Sequence, residues 1–115
     1  MTWVFYKEGK LESSGVEDSI PFSFALYALN EGWGTFIEAY VREEEKKEEL
    51  LAVVDSFAKA AVHFSDEATI RRVAYQTAKK VLHIIGTERA TIYIGVHFRH
   101  NGKWWIEIEA RRWRK

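Results

Sequence analysis

The residues best suited to chemistry lie in the last quarter of the chain. Residues 88–99 and 103–114 alternate apolar and polar side chains on either side of His100-Asn101-Gly102, the pattern of a β-hairpin with one buried face. One set of alternate positions holds Ile92, Ile94, Val96 and Phe98, then Trp104, Ile106, Ile108 and Ala110. The other set holds Arg89, Thr91, Tyr93, Gly95, His97 and Arg99, then Lys103, Trp105, Glu107, Glu109, Arg111, Trp113 and Lys115. The rings of Tyr93, Trp105 and Trp113 offer flat surfaces for unpaired bases, worth roughly 1–3 kcal/mol per stacked base. Arg89, Arg99, Lys103, Arg111 and Lys115 can hold phosphates, and His97 can serve either purpose. Gly95 leaves room for a base or sugar to approach the strand.

This face predicts a small non-enzymatic protein that binds single-stranded DNA or RNA. Aromatics and arginine also build dry protein interfaces, so the alternative is a homo-oligomeric assembly or partner-binding module, with a homodimer expected. Glu107 and Glu109 share the face and work against phosphate. The chain carries no aromatic ribonucleoprotein motif and no Gly-x-x-Gly clamp, and its element order is not βαββαβ.

Which side chains share a face depends on the turn. Asn-Gly alone signals a two-residue turn, which would set Val96 against Glu107. A three-residue loop, His100-Asn101-Gly102, instead pairs Arg99 with Lys103. Phe98 then meets Trp104, Val96 meets Ile106, Ile94 meets Ile108 and Ile92 meets Ala110, one apolar face throughout. Register follows the buried face, and Gly102 falls where the loop needs a left-handed residue, so the three-residue loop is expected. It sets Trp105 opposite His97, Arg111 opposite Thr91 and Trp113 opposite Arg89.

Catalytic chemistry finds less support. The histidines are His63, His83, His97 and His100, with no His-x-x-x-His pair, and cysteine is absent. Neither a metal site nor a cofactor site is expected, and disulfides and thiol nucleophiles are excluded. No Gly-x-Ser-x-Gly elbow, Walker loop or dinucleotide motif occurs, and Gly32-Trp33-Gly34 reads as a turn. The best acid–base candidate is Glu38, between Phe36 and Tyr40 on an apolar face that would raise its pKa. A small-molecule enzyme with a pocket near Glu38 is therefore a remote third reading.

The elements that must position the face are legible from periodicity. From Glu44 to Phe64 apolar residues fall at Leu50, Leu51, Val54, Phe57, Ala58, Ala61 and Val62, the spacing of an amphipathic helix. A second helix follows, with Ser65 placed to cap it, a stripe from Ile70 to Ile85, and Gly86 past its end. A near-absent linker makes the two a helical hairpin.

The first half offers two further hairpins built on the same three-residue device. Lys7-Glu8-Gly9 separates residues 3–6 from 10–12, and Asn30-Glu31-Gly32 separates 22–29 from 33–42. Phe22, Ala25, Leu26 and Leu29 also fit a helix opened by Pro21, but the hairpin is preferred. It sets Leu26 opposite Phe36, Ala25 opposite Ile37, Phe22 opposite Tyr40 and Glu38 opposite Phe24. Both faces are then apolar, as in a strand pair covered on both sides. Residues 13–20 look like the one sizeable loop. The result is an α+β fold, ββ-ββ-αα-ββ: an antiparallel sheet of about six strands with a helical hairpin packed on one face.

Composition sets the outer limits. The chain has 115 residues, 47 % of them hydrophobic and 15 % aromatic, enough for one core and one domain spanning 1–115. Its apolar runs are far shorter than the roughly 20 residues that span a bilayer, and its first residues do not resemble a secretory leader. With no cysteine, a cytoplasmic setting is expected. Few Asn, Gln and Met beside many Glu, Lys and Arg give a thermophile-like composition. The net charge of zero hides an asymmetry: residues 1–67 hold 14 acids and 6 bases (−8), residues 68–115 hold 3 acids and 11 bases (+8). Such a basic half suits a polyanion unless the acidic half covers it.

Overall fold

The structure is a computed structural model that describes residues 1–18 and 20–112. Six antiparallel strands form one sheet: β1 (Thr2–Lys7), β2 (Lys10–Val16), β3 (Phe24–Asn30), β4 (Thr35–Val41), β5 (Ala90–Phe98) and β6 (Trp104–Arg112). Their spatial order is β2-β1-β4-β3-β6-β5. Helices α1 (Lys47–Ala61) and α2 (Glu67–Ile85) cover one face of this sheet, α1 over β4 and α2 over β5 and β6. The expected α+β architecture is present. Neither helix is long and apolar enough to cross a membrane.

Strand pleat explains which side chains the helices cover. Leu26, Ile37, Ile106 and Ile108, with Phe24, Ala39 and Val41, all point to the helical side and are almost wholly buried. They meet Leu50, Val54 and Phe57 of α1 and Ile70, Ala74 and Val81 of α2 in one core. Segment 22–29 contributes β3, not a helix. Its ladder runs to β4 on one side and β6 on the other, and that pairing overrides the helical spacing of its apolar residues.

The last hairpin has the expected register, with Phe98 opposite Trp104, Val96 opposite Ile106 and Ile92 opposite Ala110. Arg99 N–H donates to the Lys103 carbonyl at 2.9 Å, Gly102 N–H donates to the Arg99 carbonyl at 3.2 Å, and Gly102 has φ +81°. The other two turns do not repeat this device. Between β1 and β2 the turn is only Glu8-Gly9, both left-handed (φ +51° and +79°), with Lys7 opposite Lys10. Two positive φ values give the turn twist that matches the strands. A bulge then follows, because Tyr6 faces Leu11 while Phe5 faces Ser13.

Between β3 and β4 the loop is 31–34, and Gly32 N–H donates to the Asn30 side chain at 2.7 Å. Leu29 therefore meets Phe36, Leu26 meets Ala39, and Glu38 lies opposite Tyr27 instead of Phe24. The shift is an odd number of residues, so it exchanges faces. It gathers Ile37, Ala39 and Val41 with Phe24, Leu26 and Ala28 under the helices, which the expected register would have split. Residues 13–16 belong to β2, and the loop is 17–23.

Helix entry also differs by one residue. The cap of α2 is Asp66, extended at φ −132° and ψ 151°, whose carboxylate accepts from Thr69 N–H at 3.0 Å. Residues 62–66 join the helices, and Glu44–Lys46 form a short 3-10 turn before α1. At the end of the sheet near this turn, the buried carboxylate of Glu43 accepts from the Arg112 guanidinium at 2.6 and 3.0 Å. Arg112 also donates to Ser23 Oγ at 3.1 Å, and Arg89 lies 3.6 Å from the second Glu43 oxygen. This cluster ties β3, β6 and the start of β5 to the chain leaving β4.

Two substitutions test these anchors by urea unfolding. Glu43→Gln leaves two guanidinium groups beside a neutral amide and is expected to lower stability by about 2 kcal/mol, between the worth of an exposed and a buried pair. Asp66→Ala removes the cap and is expected to cost about 1 kcal/mol. An unchanged unfolding midpoint in either variant contradicts the role given to that residue.

Candidate ligand-binding face

The face away from the helices is built from the other alternate positions of all six strands. Across β1, β4, β3, β6 and β5, one row runs Phe5, Glu38, Tyr27, Glu107, Gly95. On one side lies the row Lys7, Phe36, Leu29, Trp105, His97, and on the other Trp3, Tyr40, Ala25, Glu109, Tyr93. Of the expected stacking residues, Tyr93 is 47 % and Trp105 44 % exposed, as a wet platform requires. They are not neighbours. Trp105 stands opposite His97, and Tyr93 is four residues further along β5, about 13 Å away by strand rise.

His97, Arg99, Lys103 and Trp105 come together. With Leu29, Glu31 and Trp104 they line a cleft of about 270 Å³ beside the hairpin tip. The His97 and Trp105 rings lie 5.0 Å apart at 39°, forming one wall. His97 Nε2 is 3.7 Å from a Glu107 oxygen, and Lys103 Nζ is 3.7 Å from Glu31. Arg99 is exposed, and its guanidinium has no ion-pair or hydrogen-bond partner among the described residues.

The other nominated cations are placed elsewhere. Arg111 donates to Glu109 at 2.8 Å while its guanidinium lies over Phe22 and Tyr93, 5.1 and 5.9 Å from the ring centres. Arg89 faces Glu43 at the end of the sheet. Trp113 and Lys115 lie outside the described residues.

Sequence reasoning confined the candidate face to one hairpin, whereas the structure extends it across the sheet. Phe36 stacks near Phe5 (6.1 Å) and Trp33 (4.7 Å), and Trp33 is 73 % exposed. Tyr27 O–H donates to Glu109 at 2.6 Å, and Tyr40 O–H donates to Glu38 at 2.6 Å. For Phe36, Glu38 and Tyr40 the signal is their interleaving with the aliphatic Ile37, Ala39 and Val41 in 35–41. Glu38 is exposed, beside a hollow of about 90 Å³ walled by Phe5, Tyr27, Leu29 and Phe36. The apolar enclosure suggested for it is absent.

Burial, and then the bond to Glu38, push the Tyr40 hydroxyl up to about 12 from 10.0. Burial and Asp55, whose carboxylate accepts from Tyr6 at 3.2 Å, raise Tyr6 equally, to about 12. Burial and the bond to Glu109 raise Tyr27 further still. A raised folded-state pKa stabilises the fold fully below the unfolded value of 10 and ceases to do so as pH climbs through the folded value. Urea midpoints are therefore expected to fall between pH 10 and 12, and less so in a Tyr6→Phe/Tyr40→Phe double variant. A wild-type midpoint that stays level across this range contradicts these bonds.

No known protein family, no functionally described protein and no solved structure matches this chain, so the face itself must carry the functional argument.

Proposed function

We propose that the protein is a non-enzymatic binder of single-stranded nucleic acid, and that the strand engages the cleft at the tip of the β5–β6 hairpin. The observation that carries this reading is the convergence of Trp105, His97, Arg99 and Lys103 on one cleft of about 270 Å³. Trp105 and His97 supply the ring surface for a base, Leu29 an apolar wall, and Arg99 and Lys103 the charge for phosphate. The Lys103–Glu31 pair is half exposed, so exchanging that carboxylate for a phosphate costs little. The footprint is narrower than the whole ribbon, because Arg111 and Arg89 already serve Glu109 and Glu43. Contact with about two phosphates gives a log–log salt slope of about −1.4. A cytoplasmic setting and a thermophilic source accord with the cysteine-free, Glu- and Lys-rich composition.

A second reading, a homodimer through the open face, has its own support. Trp3, Phe5, Trp33, Phe36 and Tyr40 crowd the β1–β4 half, and the nearby carboxylates Glu38 and Glu109 are already met by tyrosine hydroxyls. Satisfied charges among half-buried rings and the exposed Trp33 suit a protein surface better than a polyanion.

Anisotropy of labelled single-stranded oligonucleotides at two salt concentrations, beside sedimentation of the protein alone, separates the two. Binding that weakens with salt and drops about tenfold or more in Trp105→Ala and in Arg99→Gln is expected. No binding at low salt contradicts the first reading. A dimer dissociated by Phe36→Ser but not by Arg99→Gln then supports the second.

A further inference from the structure

The sheet has two edge strands, β2 and β5, and they are built differently. β2 is blunted: it carries Lys10 and Glu12, and a bulge interrupts its ladder to β1. β5 has no such protection. Its nine residues, Ala90–Phe98, include no Asp, Glu, Lys, Arg or Pro, and its ladder to β6 runs without a shift. Antiparallel strands bond through alternate residues. Because Arg99 N–H donates to the Lys103 carbonyl, the β5 residues whose backbone groups turn toward β6 are Thr91, Tyr93, Gly95 and His97. Those of Ala90, Ile92, Ile94, Val96 and Phe98 turn outward, with no strand beyond them among the described residues. The side chains of Ile92, Ile94, Val96 and Phe98 are half-buried, whereas Ile106 and Ile108 beside them on β6 are fully covered. The helical layer thus stops short of this rim, where a row of apolar side chains runs beside a row of unmatched N–H and C=O groups.

We infer that β5 pairs antiparallel with β5 of a second copy about a two-fold axis at Ile94, joining two six-stranded sheets edge to edge. That centre matches the outward groups over the whole strand. Ile94 meets its own copy, Ile92 meets the partner's Val96, and Ala90 meets the partner's Phe98, so every bond joins one outward-turned residue to another. The smallest of these side chains falls against the largest, and no charged residue lies in the seam. A slip of one residue would set outward groups against inward ones and exchange the faces. Pairing of β5 with β2 of the next copy would meet the bulge and Glu12, so the assembly closes at two chains. The axis stands perpendicular to the sheet, which leaves Phe36 and both hairpin-tip clefts uncovered on one continuous open face. The pairing therefore differs from a dimer through that face, and it does not rest on the function proposed above.

Sedimentation across the micromolar-to-millimolar range, beside amide hydrogen exchange read residue by residue, tests the pairing. A monomer–dimer equilibrium is expected. In the dimer the N–H groups of Ile92, Ile94 and Val96 exchange about tenfold or more slowly than in the monomer, while those of Tyr93 and Gly95 are protected at every concentration. Ile94→Lys lets the ammonium reach water from this rim in the monomer but sets two like charges together at the axis, so it is expected to abolish the dimer with folding intact. Should that variant unfold, the exchange pattern of the unaltered chain decides alone. Phe36→Ser is expected to leave the dimer in place. A chain that stays monomeric, or a mass that climbs past two chains, overturns the inference. So does a dimer that Phe36→Ser dissociates, that survives in folded Ile94→Lys, or that leaves Ile92, Ile94 and Val96 exchanging as fast as in the monomer.

Discussion

The two-residue repeat of the strands, combined with helices on one side only, governs everything else in this protein. Once Ile106 and Ile108 are committed to α1 and α2, the pleat sends Trp105, Glu107 and Glu109 to the opposite side. The same parity in β3 and β4 buries Leu26 and Ile37 and turns Tyr27, Phe36, Glu38 and Tyr40 outward. No local preference of tryptophan or glutamate for water is needed. Burying the aliphatic set, at roughly 25 cal/mol per Å² of apolar surface, outweighs the exposure of a few rings.

Charge is arranged to fit that division. The acidic first half does meet the basic second half, but at particular points: Glu43 takes Arg112 and Arg89, and Glu31 reaches Lys103. Arg111 is matched within its own strand by Glu109. Among the described residues of the last hairpin, the basic side chains not bound to Glu43 or Glu109 are Arg99 and Lys103 at the tip, the latter 3.7 Å from Glu31. The half-buried rings of β1 and β4 on the same face stand beside carboxylates already hydrogen-bonded to tyrosine. One sheet face thus carries two chemically different areas, a tip with His97, Arg99, Lys103 and Trp105 and an aromatic area whose carboxylates bond to tyrosine.

The fold class and the register of the last hairpin were legible because a long apolar alternation admits only one pairing that keeps Ile94, Ile108, Val96 and Ile106 together. The earlier hairpins were less legible for physical reasons. Residues 36–41 place apolar or aromatic side chains on both parities, Phe36 and Tyr40 on one and Ile37, Ala39 and Val41 on the other, so either parity offered something to bury, and packing against α1 decides between them. Likewise Glu8-Gly9 and residues 31–34 each contain a glycine that fits several turn lengths. The candidate site was partly visible. Alternation identifies His97, Arg99, Lys103 and Trp105 as neighbours, but the partners of Arg89 and Arg111 depend on where Glu43 and Glu109 come to lie.

Two adjacent indoles, Trp104 and Trp105, face a sealed core and open water respectively. Hydroxyl-radical footprinting read by mass spectrometry, at protein concentrations low enough to disfavour self-association, compares them directly. Rapid oxidation of Trp105 and strong protection of Trp104 are expected in the folded protein, with the difference erased in denaturant. Equal protection of both indoles in the folded protein, or faster oxidation of Trp104, would contradict it.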